Sequence, residues 1–229
     1  MELFERIATC TSRGKINQNS PYPPDLRGQE GVFELVRDAL SGGVNPNDIL
    51  TQGLMVGMND VGRKFSKNEV FVPDLLMAAK AMAAGMDQLK PAFASGAAVY
   101  KGVFVVGTVK GDLHDIGKNL VRMMMEGAGY EVIDLGVDVS PEKFVAEVEK
   151  HPGCIVGLSA LLTTTMVNME ATTKLVKEKD PKAVVVVGGA PLTQEFCDKI
   201  GADAYSPDPQ GIIDWLNARG GCGCGCACN

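Results

Sequence analysis

Two histidines occur in the chain, and one of them, His114, stands among residue types suited to holding a metal. The segment reads Gly107-Thr-Val-Lys-Gly-Asp112-Leu-His114-Asp115-Ile116-Gly117-Lys. Asp112 lies two residues earlier, close enough in a turn to accept a hydrogen bond from one imidazole nitrogen while the other faces a metal. That arrangement fixes the tautomer and raises ligand basicity. Gly111 and Gly117 let backbone approach a bulky planar ligand closely. Taken alone, the same segment also reads as a surface loop whose Asp caps the next helix and whose His is idle.

Two more segments carry candidate chemistry. Gly157-Leu-Ser159-Ala-Leu161-Leu-Thr163-Thr-Thr165 is rich in hydroxyls, and Val187-Gly188-Gly189-Ala190 sets two glycines side by side. Separately, the first reads as a helix-capping cluster and the second as a tight turn. Their meaning depends on what positions them.

The elements around them supply that context. Apolar, β-branched runs at 103–106, 132–135, 155–158 and 183–187 alternate with amphipathic segments near 118–128, 141–150, 165–179 and 192–199. A short run at 202–205 precedes a last helix ending near 217. Continuous apolar strands, each followed by a helix, predict a parallel sheet covered on both faces. The expected fold is therefore α/β, a doubly wound, flavodoxin-like (Rossmann-type) sheet of five strands over 102–219. In such sheets ligands sit beyond the carboxyl ends of the strands, and all three chemical segments follow strands.

The first half has a different rhythm. Val32, Leu35, Val36 and Ala39 share one helical face, followed by Ile49, Leu50, Leu54, Met58 and Val61, then Leu75, Leu76, Ala79 and Met82. Asn45-Pro46 and Val72-Pro73 fall where helices should begin. A helical bundle over 29–90 is expected, preceded by an irregular arm at 1–28, where Pro21, Pro23 and Pro24 break periodicity, and followed by an Ala/Gly/Ser-rich linker at 91–101. Residues 220–229 form a tail with Cys222, Cys224, Cys226 and Cys228 in alternation, a candidate for soft-metal binding or redox chemistry.

Composition narrows the function. With 45% hydrophobic and 22% charged residues, the chain is an ordinary globular one. A net charge of −6 argues against non-specific nucleic-acid binding, which needs dense Lys and Arg. No apolar run approaches the roughly 18 residues of a membrane span, and the acidic start does not read as a signal peptide. With scattered cysteines at 10, 154 and 197, a reducing, cytoplasmic setting is expected.

Together, Asp112-x-His114-x-x-Gly117, Ser159-x-Leu161 and Gly188-Gly189 resemble the cobalamin-binding signature shared by methionine synthase, base-off mutases and the corrinoid proteins of methyltransferase systems. Asn59-Asp-Val-Gly62, Phe65 and Phe71-Val-Pro73-Asp-Leu-Leu-Met-Ala-Ala79 resemble the helical cap of the methyl-transferring members. The resemblance implies a cobalamin or related corrinoid bound base-off/His-on. His114 would coordinate cobalt in place of the cofactor's own base, Asp112 would support it, and Ser159 would be a second support. Asp115, Ile116, Gly117 and Leu161 belong to the same binding segments, Thr163 would lie beside the displaced tail, and Gly188 and Gly189 would line its slot. Phe71, Leu75 and Met77 are candidates for an apolar lid.

Carried further, the resemblance implies a methyl carrier rather than a complete enzyme. It would accept a methyl group on Co(I) from a donor-specific methyltransferase and present methyl-Co(III) to an acceptor methyltransferase. Both partners would be barrel enzymes, and a reductive activation protein would serve the cobalt. The alternatives are the small subunit of an adenosylcobalamin mutase, which would need a barrel of about 250 residues that this chain cannot hold, and a cobalamin-dependent sensor, which would need a basic DNA-reading module.

Overall fold

The computed structural model describes residues 2–220. The cysteine tail expected over 220–229 therefore lies, Gly220 apart, outside the described residues. The chain divides into two compact units. One is Met1–Tyr100 with Gly127–Gly129, and the other comprises Lys101–Glu126 and Tyr130–Asn229.

The first unit is helical. It contains α1 (Leu3–Ser12), α2 (Val32–Ser41), α3 (Pro46–Asp48), a π-helical stretch Ile49–Leu54, α4 (Met55–Ser66) and α5 (Val72–Ala94). The irregular arm expected at 1–28 is corrected by α1. Its Ile7 and Cys10 are buried, and the surface that receives it is made by absence. A Cβ on Gly53 would lie 2.8 Å from Ile7 Cγ2, and one on Gly57 would lie 2.4 Å from the Ala8 carbonyl oxygen. Two glycines four residues apart share a helix face and let α1 approach the helical backbone. Pro21, Pro23 and Pro24 all lie beyond the end of α1 and leave it intact.

The linker expected at 91–101 is corrected as well, because α5 continues through Pro91 to Ala94. Alanines favour helix on both sides of the proline, and the Ser95 N–H bonds the Pro91 carbonyl at 3.1 Å. Phe93 then stacks on Tyr100 with ring centres 4.2 Å apart, so two aromatic rings anchor this segment. Among the lid candidates, Leu75 belongs to the core of this unit and Phe71 is exposed. Met77 packs against the Gly14 turn.

The second unit is the expected α/β sheet. Strands β1 (Val103–Thr108), β2 (Glu131–Asp134), β3 (Ile155–Ser159), β4 (Val184–Gly188) and β5 (Ala204–Tyr205) are all parallel, in the order β2-β1-β3-β4-β5. Helices α6 (Ile116–Gly127), α7 (Pro141–Lys150), α8 (Met166–Lys179), α9 (Gln194–Ile200) and α10 (Pro209–Ala218) connect or follow them. Val105, Val156, Val185, Phe144, Met169 and Val176 are among the residues of one buried cluster. The direction of winding reverses between β1 and β3, which makes their carboxyl ends the switch point where open α/β sheets bind ligands. No helix among the described residues is long and apolar enough to cross a membrane.

Candidate functional site

Strand register assembles the site. Thr108 pairs with Ser159, and Ser159 pairs with Gly188, so the last residues of β1, β3 and β4 stand in one row. The three chemical segments leave the sheet from that row.

Asp112 is the hub. Its side chain is fully buried, whereas that of His114 is 51% exposed. Oδ1 lies 2.7 Å from His114 Nδ1 and accepts the His114 backbone N–H at 3.1 Å. Oδ2 accepts the N–H groups of Leu161 at 2.8 Å and Leu162 at 3.2 Å, and the Thr165 hydroxyl at 2.9 Å. One buried carboxylate thus ties the loop after β1 to the loop after β3. Burial would by itself raise the Asp112 pKa. The bonds from Leu161, His114 and Thr165 outweigh it and hold the group well below the usual carboxylate range. An ionised carboxylate only accepts, so the Nδ1 atom carries the hydrogen. In the neutral ring the lone pair is then on Nε2, the nitrogen able to bind a metal.

Thr165, rather than Ser159, is the hydroxyl that reaches Asp112. Ser159 gives its backbone carbonyl to the Val109 N–H at 3.0 Å. Thr165 is thus a support that the sequence reading missed, beside the one expected at Ser159. The reason is reach: Ser159 ends β3 beside Thr108, and the short 3-10 turn Thr163–Thr165 carries the later hydroxyl back over Asp112. Thr165 is buried while Thr163 is exposed. The run of three threonines was the available signal.

The other predicted residues sort by environment. Leu113 and Ile116 flank His114 at 71% and 72% exposure, with Leu161 also exposed, an unusual concentration of bare apolar side chains at one sheet edge. Asp115 bonds the side chain of Asn119 at 3.0 Å within the first turn of α6. A Cβ on Gly117 would meet no atom within 4 Å. Gly189 is the opposite case. It adopts φ +143, and a Cβ there would lie 1.8 Å from the Ala160 carbonyl oxygen, so only glycine lets β4 exit against the β3 loop. Beside Gly188 the nearest atom to a Cβ is the Ser206 carbonyl oxygen, at 3.8 Å.

Comparison with known proteins adds independent weight. Two family models match, each described as a B12 binding domain, over residues 102–210 and 29–90. The dimethylamine corrinoid protein of Methanosarcina barkeri is 44% identical over 181 residues, 78% of this chain and 84% of that protein. Trimethylamine corrinoid protein 1 of Methanosarcina mazei is 39% identical over 193 residues, 82% and 89% of the two chains. Among solved structures, the methanol:cobalamin methyltransferase complex of Methanosarcina barkeri matches with a TM-score of 0.77 at 31% identity, covering 95% of this chain and 79% of that one. The chain belongs to the family of B12-binding corrinoid proteins.

Proposed function

We propose that this chain is the methyl-carrying corrinoid subunit of a methyltransferase system, and that His114 would hold the metal of a corrinoid bound base-off/His-on. The observation that carries the reading is the His114–Asp112 pair, a half-exposed imidazole whose Nδ1 is held by a buried carboxylate. The donor set fits the cofactor. Among the described residues no group of three or more His, Cys, Asp or Glu could hold a metal ion, so a metal at Nε2 brings its remaining ligands with it, as a corrin macrocycle does. The bare Leu113, Ile116 and Leu161 suit its apolar underside, and Gly188 and Gly189 suit a slot for the displaced nucleotide tail.

When bound, the cofactor supplies the methyl-accepting and methyl-donating metal. The protein controls ligation. Asp112 keeps the hydrogen on Nδ1 and turns Nε2 outward, and Leu161, Leu162 and Thr165 hold Asp112 in place. Nε2 would hold either the metal or a proton, so the two would share one atom. By analogy with the relatives, we assign a small methylated amine as the donor class. Barrel methyltransferases would serve as donor and acceptor partners, with a reductive activation protein as a third, in a cytoplasmic setting.

Methylation of the corrinoid-loaded protein with mono-, di- or trimethylamine and the matching purified methyltransferase tests the function. Spectral conversion with one of these amines supports it. Failure with all three, alongside conversion with methanol or a methoxyaromatic and its enzyme, overturns the donor class.

A further inference from the structure

Val109, Lys110, Gly111 and Asp112 form a tight turn in which the Asp112 N–H bonds the Val109 carbonyl at 3.1 Å. Gly111 occupies its third position with φ +83, the sign a type II turn requires there. Types I and II differ by a flip of the central peptide, here the bond joining Lys110 to Gly111. Both ends of that peptide are held from outside the turn. Asp138, beyond β2, accepts the Gly111 N–H on Oδ1 at 2.7 Å. Asn168, in the first turn of α8, donates its side-chain amide to the Lys110 carbonyl at 2.8 Å.

We propose that Asp138 and Asn168 are positioning residues that lock the central peptide of this turn, and so hold the Asp112–His114 pair in the orientation that ligates the corrinoid. A flipped peptide would turn its carbonyl toward the Asp138 carboxylate, opposing two acceptors there, and would break the bond that Asn168 donates to the Lys110 carbonyl. Asp112 closes the turn, so these anchors steady the loop that presents the hub to Leu161, Leu162 and Thr165. The Asp138 backbone adds a third point by donating its N–H to the Asp112 carbonyl at 3.0 Å. Asp138 itself sits at φ 52, a conformation rare for side-chain-bearing residues and tolerated best by Asn and Asp.

This inference rests on His114 being the ligand, and the experiment separates the two claims. Full-length protein labelled with nitrogen-15 histidine is reconstituted with hydroxocobalamin, reduced to Co(II) and examined by electron paramagnetic resonance. Wild type is compared with Asp138→Asn, Asp138→Gly, Asn168→Asp and Asn168→Ala. Histidine-derived splitting should persist in Asp138→Asn, whose carboxamide oxygen still accepts from Gly111. It should fall severalfold in Asp138→Gly, although glycine relieves the positive φ, and fall further in Asn168→Asp than in Asn168→Ala. In the protein without corrinoid, amide exchange at Gly111 should accelerate about tenfold in Asp138→Gly, the effect of losing one hydrogen bond. Equal splitting in Asp138→Gly and Asp138→Asn, or unchanged exchange at Gly111, overturns the lock. A wild type without histidine splitting whose Gly111 exchange still responds overturns the ligand assignment instead.

Discussion

His114 Nδ1 and Asp112 Oδ1 lie 2.7 Å apart, and the pair spans the boundary between interior and solvent, with the carboxylate fully buried and the imidazole half exposed. A ligand that must be stiff toward the protein and open toward a cofactor needs both properties. Asp112 provides the stiffness through its other partners.

Asp112→Asn should therefore damage more than the histidine bond. A carboxamide has one acceptor oxygen, so it can face either His114 or the cluster of Leu161, Leu162 and Thr165, and its NH2 group opposes donors on the remaining side. We expect a stability loss of about 1–3 kcal/mol by denaturant unfolding of the corrinoid-free protein, together with a shifted Co(II)/Co(I) potential in the loaded one. The pH dependence has a definite sign. Asp112 has a depressed folded-state pKa, so its contribution is fully present above the unfolded carboxylate value near 4 and is lost as pH falls below it. The gap between wild type and Asp112→Asn should be constant at neutral pH and close on acidification. A gap independent of pH from neutral into strong acid contradicts this.

Thr165→Val keeps the shape of the side chain and removes the hydroxyl from Oδ2 of Asp112. It should destabilise the protein by about 1–2 kcal/mol, because a buried acceptor loses a partner. Ser159→Ala should cost only a few tenths of a kcal/mol, as expected away from such features. Thermal or denaturant unfolding of the two variants decides between the hydroxyls, and a larger effect at Ser159 would reverse the assignment.

Two glycines should respond in opposite ways. Gly189→Ala forces a Cβ into the Ala160 carbonyl at a φ that L residues rarely adopt, so the variant should lose several kcal/mol or fail to accumulate folded. Gly117→Ala enters open space in the first turn of α6 and should stabilise the corrinoid-free protein by up to about 1 kcal/mol. It should also weaken corrinoid uptake if that space belongs to the ligand. Equilibrium unfolding and corrinoid titration measure the two effects independently, and full uptake by Gly117→Ala would place the ligand elsewhere.

The sheet was legible because four apolar, β-branched runs and a shorter fifth at 202–205 each preceded a helix. The site was legible in part. Asp112 and His114 announce themselves by spacing, whereas Thr165 reaches the carboxylate only through a turn, and Leu161 and Leu162 contribute backbone N–H groups that no side-chain pattern encodes. Helix α1 was hidden for a related reason: its partner surface is Gly53 and Gly57, residues that look like helix breakers until a neighbouring backbone needs their space. Pro91 misled in the other direction, since surrounding alanines carried α5 past it.

The central claim is that Nε2 of His114 binds the corrinoid metal, and electron paramagnetic resonance of the Co(II) state in wild type and His114→Ala tests it most directly. His114→Ala should fold normally, because the half-exposed ring adds little to the core. Wild type should show nitrogen superhyperfine splitting that changes when histidine alone carries nitrogen-15, and the substituted protein should lose that component. Splitting that is the same in His114→Ala as in wild type and insensitive to the histidine label would contradict the account.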